Sequence, residues 1–205
     1  MYLGQQMQDK YLNENIFKNY KNGFYIDIGA HDGKDKSNTY YFYKNGWRGI
    51  NVEPIPKVFN SLILNKPNDI NLNLAISEKD GYADFIINEG YTEMLSGLKN
   101  NYDSRHIDRI NHELREHGGK SKNIKVKTKR LDNICNHHNI KHINLLSIDV
   151  EGGEKSVIDS IDFNKVFIDV IVFENNYSEQ GMLIETYLKS KGYKTLRKGQ
   201  DIFMI

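Results

Sequence analysis

The chain has 205 residues, 39% of them hydrophobic and 27% charged, with 28 Lys and Arg against 27 Asp and Glu. A formal net charge of +1 argues against a protein built mainly to coat nucleic acid, which would be strongly basic. The single cysteine, Cys135, excludes an internal disulfide framework and a multi-cysteine zinc site, and no apolar run reaches the roughly 18 residues of a membrane span. The opening MYLGQQMQDKYLNE lacks the basic-then-apolar pattern of a signal peptide, so a cytoplasmic protein is expected. Only Pro54, Pro56 and Pro67 interrupt the chain, and there is no internal repeat. One domain over residues 1–205 is therefore expected.

Short apolar runs alternate with helical patterns, the signature of a parallel sheet covered by helices. Phe24 to Ala30 (FYIDIGA) predicts the first strand, and Gly49 to Glu53 (GINVE), closed by Pro54, the second. Val58, Leu62 and Ile63 form a helical stripe behind it. Ile70 to Ile76 and Ala83 to Ile87 are the next strand candidates, the latter after an Asp80-Gly81 turn signal. The charged stretch from Tyr91 to Asn123 carries Ile107, Ile110 and Leu114 on one helical face and ends at Gly118-Gly119. It reads as an inserted helix over one edge of the sheet. Lys120 to Arg130 alternates Lys with apolar residues, as a strand with one wet face or a protected edge does. Ile143 to Val150 and Val166 to Phe173 are continuous apolar runs, hence central strands buried on both faces. Met182, Ile184, Tyr187 and Leu188 predict a helix before Gly192, and the stretch Lys194 to Ile205 ends in a strand, DIFMI.

The first strand runs into Asp27-Ile28-Gly29-Ala30-His31-Asp32-Gly33. Glycine there allows a close backbone approach to a ligand, although a full dinucleotide fingerprint is missing. Glu53 closes the second strand 24 positions after Gly29, where an acid can accept hydrogen bonds from ribose hydroxyls. Either feature alone is equally a tight turn or a helix-end charge. Together, at the carboxyl ends of adjacent strands, they point to a nucleoside-bearing cofactor.

FYIDIGAHDGKDKSNTYYFYKNGWRGINVEPIPKVF resembles the FkbM family of S-adenosylmethionine-dependent methyltransferases. The likeness continues through NLAISEKDGYADF, MLSGL, VKTKRLDNIC and LLSIDVEGGE, and into QDKYLNENIF near the start. It implies an α/β, Rossmann-like class I methyltransferase fold, with a seven-stranded, mostly parallel sheet and helices on both faces. It also implies S-adenosylmethionine as cofactor and O-methylation, often of sugars or glycan-bearing molecules. It sets Asp27, Gly29 and Ala30 against the methionine part of the cofactor, and Ser37, Asn38 and Thr39 in the same pocket. Glu53 becomes the ribose-binding acid, and Ala75, Ile76 and Ser77 lie beside the adenine. Gln8 and Asp9 match a pair that closes over the cofactor. The departure is Tyr41-Phe42-Tyr43, where many relatives carry an acid.

Asp149, Glu151 and Glu174 end the two central strands and are the catalytic candidates. A carboxylate there can accept the proton of a hydroxyl as it attacks the methyl group. Glu154, and Glu151 with it, also suit a helix N-terminus. Mg²⁺ could sit among three acids, but no histidine accompanies them at a ligand spacing, so no metal is assigned. His31 is a reserve base. Cys135, His137, His138 and His142 suggest zinc only by composition and fall on an outer helix. Tyr91 and Tyr102 border the insert and could stack on a sugar. The expected acceptor is a sugar or glycan, without nucleic acid or membrane. RNA, a small metabolite, or cofactor binding without catalysis are the alternatives.

Overall fold

The computed structural model describes residues 1–198 and 200–205, with only the backbone described for Arg197 and Lys198. Gly199, inside the expected C-terminal stretch, lies outside the described residues. A short helix α1 (Gln8–Tyr11) continues as a π-helical turn through Leu12–Phe17. Then follow β1 (Phe24–Ile28), α2 (Tyr40–Lys44), β2 (Arg48–Val52), α3 (Pro56–Asn65), β3 (Ile70–Leu72), β4 (Ala75–Ile76) and β5 (Gly81–Asn88). The insert holds a 3-10 helix (Gly90–Leu95), β6 (Gly97–Leu98), a 3-10 turn (Lys99–Asn101) and α4 (Ser104–His117). The chain finishes with β7 (Ser121–Lys129), α5 (Leu131–His137), β8 (His142–Ile148), α6 (Glu154–Asp159), β9 (Phe167–Glu174), α7 (Ser178–Ser190), β10 (Thr195–Lys198) and β11 (Asp201–Met204).

The main sheet has seven strands in the order β10-β11-β9-β8-β1-β2-β3. The pairs β8/β9, β1/β8, β1/β2 and β2/β3 are parallel; β10/β11 and β11/β9 are antiparallel. Successive residues of one strand enter different cores. Ile26, Ile28, Leu146, Ile148, Ile171 and Phe173 pack on one face. Tyr25, Leu145, Val170 and Val172 pack on the other, against Leu12, Phe42 and Trp47. With both faces covered, no polar alternation is left to read, which is why these strands appear as unbroken apolar runs.

From β1 the chain moves outward through β2 and β3, then returns to build β8 and β9 on β1's other side. That reversal opens a crevice at the carboxyl ends of β1 and β8, where α/β sheets bind ligands. The third expected strand divides here. Asn73 turns out of the ladder and donates to the carbonyls of Glu53 (2.8 Å) and Pro54 (3.1 Å). β3 therefore stays in the main sheet, and β4 joins a second sheet, β4-β7-β5-β6. In that sheet β7 is internal rather than an edge. It has the expected wet face, with Lys125 and Lys129 paired to Asp84 and Asp80, while Lys122, on the opposite face at the strand's start, pairs with Glu89. The insert leaves between Asn88 and Ser121, which pair with each other, so it occupies the turn of a long β5–β7 hairpin. Its helix starts on Asp103, whose side chain caps the Arg105 N–H, and stops at Gly118, φ 72°. It buries His106 and Ile110 rather than Ile107, which is 45% exposed. It reaches the carboxyl rim: Arg105 meets Glu179 at the start of α7 (3.4 Å), and His106 faces Glu151.

Candidate active site

The loop after β1 is held by backbone. Gly29 and Ala30 both donate to the Val52 carbonyl at 3.0 Å, and Asp149 N donates to Ile28 O at 2.9 Å. Gly29 has φ +80°, and a Cβ on it would lie 1.8 Å from the Asp149 carbonyl oxygen. Only glycine permits this approach of β1 to β8. Beneath the loop, Lys66 is wholly buried, and its Nζ donates to Thr39 Oγ1 (2.6 Å) and Asn51 Oδ1 (2.9 Å) and pairs with Asp27 Oδ2 (3.4 Å). Thr39 Oγ1 in turn donates to Asp27 at 2.5 Å. Burial holds the Lys66 ammonium below the usual lysine range, with the nearby Asp27 charge opposing that shift.

Glu53 stands at the end of β2, 4% exposed. Its oxygens accept from His31 N (3.1 Å) and Ile55 N (2.7 Å), so one carboxylate ties the glycine loop to the entry of α3. Burial pushes its pKa up to about 7 despite those two N–H groups. Glu53 lines an open cleft. One side of the cleft is apolar: Val52, Ile55, Ala75, Ile76, Phe85 and Leu98. The insert contributes Glu93, Met94, Ser96 and Asn101 to its wall, and Asp149 and Glu151 line it as well.

Asp149, Glu151 and Glu174 each offer an oxygen, all within 4.8 Å of one another. Water reaches Asp149, but protein and neighbouring acids surround it. Desolvation, then the charges of Glu174 and Glu154, hold its carboxyl well above the usual range. Burial pushes Glu151 and Glu174 up to about 8, with Asp149 adding to the first and Glu151 to the second. Asn176 Nδ2 donates to Glu174 (2.6 Å) and Glu151 (3.4 Å). Glu154 turns away from this cluster. Its Oε1 accepts from the N–H groups of Gly152 (3.1 Å) and Val150 (3.3 Å) and shapes the turn into α6. His106 is fully buried, and desolvation lowers its pKa below the usual histidine range.

The sequence profile of the methyltransferase FkbM domain matches residues 27–195. The chain belongs to the FkbM family of S-adenosylmethionine-dependent methyltransferases. No curated protein matches it. Among solved structures, fibrillarin from Aeropyrum pernix, in complex with natively bound S-adenosyl-L-methionine, is similar in fold. It is 10% identical, with 100% of this chain and 75% of that one covered, at a TM-score of 0.53. A TehB-like SAM-dependent methyltransferase from Corynebacterium glutamicum is 8% identical over 96% and 84% of the two chains, TM-score 0.42. A precorrin 8w decarboxylase from Methanobacterium thermoautotrophicum is 12% identical over 98% and 88%, TM-score 0.45.

Within this FkbM chain, the cleft brings together Gly29, Glu53, Ala75, Ile76, Asp149 and Glu151, with Glu174 clustered on the last two. Asp27, Ser37 and Thr39 lie below it. Ser37 Oγ accepts from Thr39 N and Tyr40 N, and Asp27 and Thr39 are engaged with Lys66. Ala30 is buried behind the loop, and Ser77 N is bonded to the Lys129 carbonyl, so neither lines the cleft. Asn38 reaches Ser147 Oγ at 3.4 Å; Gln8 donates to Asp201 Oδ2 at 2.6 Å, and Asp9 accepts from Leu3 N at 2.7 Å, which anchors the N-terminal segment. His31 lines the cleft, 3.7 Å from Glu93. Tyr91 is 70% exposed, whereas the Tyr102 hydroxyl donates to the Leu95 carbonyl. Cys135 is buried in the main core and His142 pairs with Asp169 at 2.8 Å, so the zinc grouping suggested by composition does not assemble. Lys66, Asn176 and His106 do not stand out in the sequence. For His106 a signal existed: it sits four residues before Ile110 on the one face the helix buries.

Proposed function

We propose that this methyltransferase transfers a methyl group from S-adenosylmethionine to a hydroxyl of a sugar or glycan. The observation that carries the reading is one cleft lined both by a buried ribose-type acid, Glu53, and by Asp149 and Glu151, on which Glu174 converges. The residues fit the cofactor. Glu53 keeps acceptor capacity beyond its two backbone partners, and Ile55, Ala75, Ile76 and Phe85 form a flat apolar wall for an adenine ring. When bound, the cofactor supplies a methyl group on a positively charged sulfur. The chain supplies the rest. Gly29 lets the backbone approach, Glu53 orients the ribose, and the insert covers the acceptor side and limits water. Asp149 accepts the proton leaving the acceptor hydroxyl, with Glu151 and Glu174 as partners that share it.

Sugar hydroxyls donate well to carboxylates and amides, and Asn101, Asp149 and Glu151 line the acceptor side. The test is label transfer from methyl-labelled cofactor to deoxysugar glycosides, small hydroxy metabolites and RNA, with wild type and Asp149→Asn. Label should enter a glycoside, and Asp149→Asn should lower turnover by ~10²–10⁴ with little change in cofactor affinity. Label in RNA but in no sugar would overturn the assignment.

A further inference from the structure

His31 lines the cleft with its backbone in the left-handed region, φ +50°, a conformation that glycine adopts freely and that strains a residue with a side chain. Its amide is committed to Glu53 Oε2 (3.1 Å). Its ring is not. Nε2 faces Glu93 Oε2 at 3.7 Å and Nδ1 faces Asp32 Oδ1 at 3.9 Å, both too long for a hydrogen bond. Yet both ring nitrogens are shielded from water and lack a hydrogen-bond partner among the described residues. Polar atoms shielded in this way are unfavourable until they are paired.

Glu93 is the partner within reach. It comes from the insert and lines the same cleft, and its carboxylate makes no hydrogen bond among the described residues. The backbone that carries it is held: Thr92 is fully buried, and the Leu95 carbonyl accepts from Asn88 Nδ2 (3.0 Å) and the Tyr102 hydroxyl (2.8 Å). The Glu93 side chain is 34% exposed, so it has room to rotate, and a shift of roughly 0.8 Å brings its oxygen to hydrogen-bond distance from His31. In the free protein Glu53 opposes that shift. Burial first, and also the Glu93 charge, push the Glu53 carboxyl up, so the two acids lie within electrostatic reach of each other. Ribose hydroxyls that donate to Glu53 spread its charge and relax this repulsion.

We propose that Glu93 is a further positioning residue of the cofactor site: with the cofactor bound, its carboxylate accepts a hydrogen bond from His31 Nε2. His31 then holds Glu53 through its amide and the insert through its ring. Cofactor loading is thereby coupled to the segment that walls the cleft. The inference rests on the cofactor assignment and is independent of the acceptor.

The test is calorimetry with S-adenosylhomocysteine at pH 8, where Glu53 is mostly ionised. Glu93→Ala should weaken binding roughly three- to tenfold, the loss of about one hydrogen bond. His31→Asn tolerates the left-handed backbone, keeps the amide and is too short to reach Glu93; it should weaken binding by a similar factor. Because both remove one contact, the double variant should bind within about twofold of the weaker single. Glu93→Gln should keep most of the affinity, since its amide oxygen still accepts. A Glu93 that only repels Glu53 gives the opposite sign, tighter binding by Glu93→Ala. In spectra of protein labelled with nitrogen-15 histidine, S-adenosylhomocysteine should slow exchange of the His31 Nε2 proton in wild type and not in Glu93→Ala. Circular dichroism confirms that each variant is folded, and His31→Gly or Glu93→Ser stands in for one that is not. Equal or tighter binding by folded Glu93→Ala, or fully additive losses in the double variant, overturns the contact and leaves the cofactor assignment in place. Wild type that binds no S-adenosylhomocysteine removes both.

Discussion

Replacing Glu53 with glutamine keeps the side chain's size and removes its charge. Two effects follow from its position. In the free protein, Glu53 accepts from His31 N and Ile55 N, one on each oxygen. A glutamine turns one oxygen into an NH₂ group, so one buried N–H loses its acceptor, at a cost of about 1–3 kcal/mol in stability. In the complex, two ribose hydroxyls lose a charged acceptor. That amounts to about 1.5–3 kcal/mol, or roughly 10- to 150-fold in Kd for S-adenosylhomocysteine. The pH dependence separates the charge from the shape. The carboxyl titrates near 7 because it is buried, and ribose hydroxyls bind its ionised form. Wild-type affinity should therefore fall as pH drops below about 7, and Glu53→Gln should lack that component. Stability moves the opposite way. The folded pKa, about 7, lies above the ordinary 4.5, so the proton favours the folded state at low pH. That contribution is complete below 4.5 and is lost as pH rises to about 7, so wild type should lose stability relative to Glu53→Gln across that window. Calorimetry and urea denaturation from pH 5 to 8 measure both. Equal affinity of the two proteins at pH 8 would refute the ribose role.

Lys66→Met should leave the buried Asp27 carboxylate without its cation and cost about 3–5 kcal/mol in urea unfolding. Adding Asp27→Asn should restore much of the loss, and a neutral single variant would show that the pair is not a structural unit. Gly29→Ala drives a Cβ to 1.8 Å from the Asp149 carbonyl oxygen at φ +80°. It should destabilise by roughly 3 kcal/mol or more and abolish S-adenosylhomocysteine binding, checked by thermal shift with and without ligand. Amide exchange in α4 should be faster than in β8, because α4 buries only His106 and Ile110 whereas β8 is covered on both faces. Equal protection of the two by mass spectrometry would contradict that.

Much of the scaffold was legible in residue order. A parallel strand covered on both faces must be apolar throughout, so β1, β8 and β9 stand out as runs, and a ligand loop between packed strands demands a glycine such as Gly29. Glu53 is legible because its place at a strand's carboxyl end follows from chain order alone. The other features depend on pairings between distant segments. Whether Ala75 and Ile76 extend β3 or leave it is decided by Asn73 reaching the Glu53 carbonyl and by β7 lying ready to pair with β4. Whether Asp27 faces a ligand or the interior is decided by Lys66, which arrives from the end of α3 and draws the carboxylate down. The rim depends most on tertiary structure. Asp149 and Glu151 are neighbours in sequence, but Glu174 joins them only through β8/β9 pairing, and His106 only through the docking of α4. Local periodicity reports which face of an element is buried. It carries no information about which distant lone pair that face will meet, and the charge balance of the site is set there.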